Sequence, residues 1–203
     1  MSIVAFPTTT NPARVTWDLR ANTQTHSSPF DQTTQTLALP GARWVVNLSW
    51  PTLSQDDWRT LSGFLAGLGG SAGRFTYGPS HAPRRATGTG APAMNGSIQT
   101  GSAISVKGWE ASAQAFRIGD YLSYLDSSGR SLLHIVRADS NATGLGFAAV
   151  SIAPPVRRSV ADGTAIEVAA PLGVFRLANG ASPISVRPGA FGELSIDIEE
   201  TLV

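Results

Sequence analysis

"GRFTYG", Gly73–Gly78, runs straight into Pro79, and much later "GVFRLA", Gly173–Ala178, follows closely on Pro171. Both read as short strands with the same G-x-F-x start, which places Phe75 and Phe175 at matching positions. If the two are neighbouring or successive strands of one sheet, the passage between them is an insertion whose ends lie close together, as tolerated insertions require. The reading predicts a discontinuous outer domain, residues 1–80 with 171–203, and an inserted domain over 81–170. The flanking prolines and a change of texture between the two stretches favour this over a chance match of hexapeptides.

The outer parts carry large apolar residues in regular patterns. Residues 34–50, "TQTLALPGARWVVNLSW", read as two strands joined at Pro40-Gly41: Leu37 and Leu39 alternate before the turn, and Trp44, Val46, Leu48 and Trp50 after it. Pro51 is expected to stop the second strand. "TLSQDDWRTLSGFLAGLGG" then gives a helix, with Ser54 as N-cap, Asp56 and Asp57 in the first turn and Gly69-Gly70 at the end. Its apolar stripe, Trp58, Leu61, Leu65 and Leu68, is expected to pack on a sheet. The tail "AFGELSIDIEETL" alternates Leu194, Ile196 and Ile198 inward against acids outward.

The inner passage is different. "PSHAPRRATGTGAPAMNGS", Pro79–Ser97, has no periodicity and reads as a linker or extended arm. Beyond it "SAISVKGW", "GDYLSYLD", "LLHIVRAD", "GFAAVSIAP" and "TAIEVAAP" recur as short strands between Gly, Asp, Asn and Ser turns, the spacing of a small sandwich or barrel. The fold class expected is therefore mostly β.

Composition narrows the chemistry. The chain has 203 residues, a formal net charge of +1 and 14% charged residues, so no basic surface points to nucleic acid. It has no cysteine, which removes disulfides, thiolate catalysis, Fe–S clusters and cysteine zinc sites. No apolar run is long enough for a membrane helix and no leader is evident, so synthesis and folding in the cytoplasm are expected.

Catalytic patterns are equally scarce. His26, His81 and His134 fall in separate elements without metal-ligand spacing, and His134 reads as a satisfied strand histidine. No G-x-S-x-G elbow, P-loop or dinucleotide fingerprint occurs. Asp56-Asp57 read as helix-start charges, Glu199-Glu200 as the exposed end of the last strand, and Asp120 as a turn carboxylate bonding nearby amides. "DSNATGLG", Asp139–Gly146, lacks the glutamate of a calcium loop and reads as a hairpin turn. Trp44, Trp50 and Trp58 sit at strand and helix periods, as core residues do. No catalytic, cofactor-binding or metal-binding residue is assigned, and the chain is expected not to be an enzyme.

Two stretches carry a resemblance. "LPGARWVVNLSWPTLSQDDWRTLSGFLAGLGGSAGRFTYG", and the β-rich block with "GD", "VSIAP" and "DGTAIEVAAPLGVFRL", resemble distal tail and minor tail proteins of long-tailed, siphovirus-type bacteriophages. The two cover most of the chain, in short pieces. The resemblance implies a tail-tube-like β-sandwich with one flanking helix, carrying a small all-β domain that projects outward. It further implies a homo-oligomer, typically a hexameric ring, between tail tube protein and baseplate hub protein in the virion. The long polar arm "ANTQTHSSPFDQTTQT" departs from that pattern and has no assigned place.

A ring needs edges that pair between copies, which makes the C-terminal strand, with Leu194, Ile196 and Ile198, the expected subunit border. Two alternatives stay open at this level: a host-surface glycan-binding module in the inner domain, and a tail-associated glycan hydrolase.

Overall fold

The two G-x-F-x stretches are neighbours in one sheet: the strands Arg74–Tyr77 and Gly173–Leu177 lie side by side. The structure is a computed structural model and describes residues 3–8, 10–158, 160–180, 184–187, 189 and 191–201. It is mostly β, with one α-helix among the described residues. In chain order the first elements are β1 (Ile3–Ala5), β2 (Arg14–Ser27), β3 (Thr34–Leu53), helix α1 (Gln55–Gly67) and β4 (Arg74–Tyr77). Next come β5 (Gly90–Met94), β6 (Gly101–Trp109), β7 (Gln114–Phe116), β8 (Tyr121–Leu125), β9 (Ser131–Val136), β10 (Ser140–Asn141), β11 (Ala148–Val156) and β12 (Ile166–Glu167). The chain ends in β13 (Gly173–Leu177), β14 (Ile184–Arg187) and β15 (Phe191–Glu200). Two compact units result, Met1–Phe75 with Phe175–Val203, and Thr76–Val174.

In the outer unit the strands run β1-β4-β13-β15-β3-β2, with β14 also beside β15. Alternation decides which face is buried. Leu194, Ile196 and Ile198 stand opposite Trp50, Leu48 and Val46, and all six are buried. The sheet curls: Trp17 on β2 and Phe175 on β13 have two strands between them in the order, yet their ring centroids are 6.1 Å apart, edge to face.

Helix α1 follows from local chemistry. The Ser54 side chain accepts from the Asp57 amide, Asp56 and Asp57 occupy the first turn, and Gly69 takes the left-handed conformation just past the end. Leu61, Leu65 and Leu68 are buried, and Phe64, which the expected stripe omits, meets Phe75 edge-on at 5.7 Å and Phe6 at 5.4 Å. Trp58 also meets the sheet, over Gly192 of β15, but from the helix edge, where it stays half-buried. A Cβ at Gly192 would sit 2.8 Å from the Trp58 Cβ, so only glycine lets the indole approach.

Four expectations change. Pro40-Gly41 joins no two strands; β3 is one strand of 20 residues, and the pair bulges where Pro40, Gly41 and Ala42 oppose Ala21. Gly41, at φ +112°, takes the strain, and the Asn22 side chain bonds the Pro40 carbonyl at 2.7 Å. Pro51 does not stop the strand either, since the β15 ladder shifts register beside it and β3 continues to Leu53. Pro79–Ser97 is no free linker: β5 pairs with β6, and Met94 and Ala86 are buried. Glu199 and Glu200 are buried rather than exposed.

The central unit is a closed arrangement. Its six-stranded sheet runs β12-β8-β9-β11-β6-β5, and the ends meet through the Ala93–Ala165 bridge and the Met94 and Thr164 backbone bond at 2.8 Å. Closure leaves no edge at this seam and lets alternate residues fill the interior. Met94, Ile104, Val106, Leu122, Tyr124, Val136, Val150 and Ile152 form that core.

Candidate interaction surface

The polar N-terminal arm folds into a ribbon. β2 and β3 pair antiparallel from Arg14–Ser49 to Ser27–Thr34, whereas β15 pairs with β3 only between Val45 and Leu53. Past the sheet the two strands continue alone for roughly 25 Å at ~3.3 Å per residue. From Arg20 to Ala38 every residue is exposed except half-buried Ser28. Register sorts the ribbon into two faces. Thr23, Thr25, Ser27, Thr34 and Thr36 share one with Ala38; Asn22, Gln24, His26, Gln35, Leu37 and Leu39 share the other.

The turn that closes the ribbon is held from within. The Ser28 amide donates to the Thr33 carbonyl at 2.9 Å and the Gln32 amide to the Ser28 carbonyl at 3.1 Å. The Asp31 carboxylate accepts from the Thr33 amide and hydroxyl. Bonds from Ser28, then Thr33, hold the Asp31 carboxyl below its usual range. On this ordered turn Phe30 is 96% exposed, the most exposed large apolar side chain among those described. The sequence reading found the strand before Pro40 from Leu37 and Leu39 but only polar composition in Ala21–Thr33; Thr recurring at alternate positions around Ser-Pro-Phe-Asp was the available signal.

The edges of this unit are unequal. β2, 14 residues long, ends the sheet on one side and β1, with exposed Ile3 and Val4, on the other. Between Asn22 and Thr36 the only ionisable side chains are His26 and Asp31. Edge strands are usually blunted by lysine, proline or inward charge, and Asn22–Ser27 has none of these. At β15, the expected border, there are strands of the same chain on both sides, and Leu194, Ile196 and Ile198 are covered by their own chain.

The candidate catalytic groups are scattered. His26 lies on the ribbon, His81 is exposed, and His134 is buried inside the central unit. There its Nδ1 lies 2.8 Å from the Pro154 carbonyl, and its ring stacks on Tyr124 at 5.0 Å. Burial, with Arg157 nearby, pushes the imidazole pKa down to about 3, against the opposing Pro154 bond. Asp120 staples backbone, accepting from the amides of Arg85, Ala86 and Arg117 at 2.8, 3.2 and 2.9 Å. Glu199 is bridged by Arg43 and Arg176, and Glu200 accepts from the Trp44 amide.

Asp139–Gly146 is only in part the expected hairpin turn: Ser140–Asn141 is β10, paired with β7, and the turn follows at Thr143–Gly146, where the Thr143 hydroxyl accepts from the amides of Leu145 and Phe147, while Asp139 accepts from the Ile118 amide. Trp44 and Trp50 are core residues. Among the described residues no three His, Asp or Glu groups gather as a metal site, and no helix is long and apolar enough to cross a membrane. No family model matches the chain, and no curated protein matches it.

Proposed function

We propose that this chain is a structural protein that works by assembling with copies of itself, as a ring-forming component of a bacteriophage tail tip between tail tube and baseplate hub. The observation that carries this reading is the β2–β3 ribbon, a paired segment exposed on both faces and ordered at its tip. An isolated two-stranded hairpin is marginal in water, so a long one makes physical sense when another surface covers it. The identity of the assembly rests on the resemblance of the helix-bearing and β-rich stretches to distal tail proteins. The buried polar groups are consistent with a building role, since Asp120, Glu199 and Glu200 each hold backbone or arginine partners in their own unit.

Immunogold labelling of phage particles from a host carrying this gene tests the reading. Label at the junction of tail tube and tip is the expected result. Label confined to the host cell, with unlabelled tails, would overturn it.

A further inference from the structure

We infer that the ribbon is a strand-addition device for a second copy of this chain, with Phe30 as its anchor and the β1 edge of the neighbour as its receiver. The inference rests on the self-assembly reading and specifies where the copies meet.

Three observations carry it. The first is the unprotected edge of β2, whose Asn22–Ser27 segment has no strand on its outer side among the described residues and no residue that blocks pairing. The second is the tip. Phe30 projects from a turn whose bonds are already made, so docking it costs little ordering entropy, the situation in which one aromatic dominates an interface.

The third observation selects a copy of the same chain. β1 and β2 are opposite ends of one sheet, so β2 of one molecule added to β1 of the next covers those two ends and leaves the same pair open at each end of the assembly; the ribbon's other edge, Thr34–Trp44 of β3, carries Pro40 and the bulge and is the poorer pairing edge. Such head-to-tail contacts close into rings when the rotation allows. Neither β1 nor the Asn22–Ser27 segment carries a carboxylate, lysine or arginine, so no like-charge pair opposes the contact. Arg20–Leu39 supplies about twenty residues, the lower end of a standard interface side.

Sedimentation of the full-length chain over a concentration series tests this, with Phe30→Asp, Phe30→Tyr and Val4→Lys beside the wild type. All three substitutions fall on exposed side chains, and unchanged thermal melting of the monomers verifies their folding. Wild type and Phe30→Tyr are expected to associate. Phe30→Asp and Val4→Lys are expected to associate at least about thirtyfold more weakly, the scale of one interface hot spot. A wild type that stays monomeric overturns both this inference and the self-assembly reading. A wild type that associates while Phe30→Asp or Val4→Lys associates equally well overturns the inference alone.

Discussion

Ile196 stands directly opposite Leu48 on the covered face of the outer sheet, and neither side chain is more than 2% exposed. Ile196→Asp therefore buries a charge inside the molecule instead of placing one at a border between copies. The expected result is loss of the outer unit's fold, at a cost above ~4 kcal/mol. Asp197→Ser, which gives up an exposed 2.8 Å bond from the Asn47 side chain, is expected to cost within about 1 kcal/mol. Urea denaturation of both variants measures the contrast; equal midpoints would show that Ile196 is not enclosed.

Leu61 and Trp58 occupy the same helix but different environments. Leu61→Ala empties a fully buried site and should cost about 3 kcal/mol, while Trp58→Ala at the half-buried edge should cost about half as much. Gly192→Ala should be destabilising as well, because its new methyl meets the Trp58 side chain. Thermal melting of the three variants ranks them, and a Trp58→Ala loss exceeding that of Leu61→Ala would reverse the packing described.

Asp120 predicts the behaviour of the central unit. Asp120→Ala leaves the amides of Arg85, Ala86 and Arg117 without their acceptor, and about 3 kcal/mol should be lost. Asp120→Asn keeps an acceptor oxygen and should lose less. The Arg85–Ala86 segment should then exchange its amide hydrogens faster in Asp120→Ala, and unchanged exchange would exclude the staple.

The acid response follows from His134. Its folded pKa, about 3, lies below the ordinary 6.5, so the unfolded chain takes up a proton as the pH falls below about 6.5 while the folded one does not. The stabilisation is fully present above pH 6.5 and declines by about 1.4 kcal/mol per pH unit until about pH 3. His134→Gln, whose amide still reaches toward the Pro154 carbonyl, should remove that part of the acid slope. Unfolding free energies measured from pH 7 to 4 should converge for the two proteins at low pH, and parallel curves would contradict the assignment.

Local chemistry was legible in the sequence, and features made by distant partners were not. Ser54, Asp57 and Gly69 delimit the helix by bonds within a turn or two, and the apolar alternation of Trp44–Trp50 and Leu194–Ile198 gives strands without reference to anything else. Pro40 and Pro51 misled because a bulge depends on the register of the partner strand, supplied by β2 and β15. Burial of Glu199 depends on Arg43 and Arg176, and that of Met94 on the closing seam at Thr164, none of them nearby in the chain. The β2 half of the ribbon was hidden for another reason: Thr and Gln alternate there without an apolar period, so its pairing with the Leu37–Leu39 strand shows only in the register.

Amide hydrogen exchange along Asn22–Ser27 separates strand addition at β2 from every other way the chain could associate. In the single chain this segment is exposed, and among the described residues no strand lies beside its outer edge. Amides on that edge are expected to exchange rapidly at concentrations where the chain is monomeric and to slow strongly once it associates, with amides of the β15 core slow in both states. Association with Asn22–Ser27 exchanging as rapidly as in the monomer would contradict it.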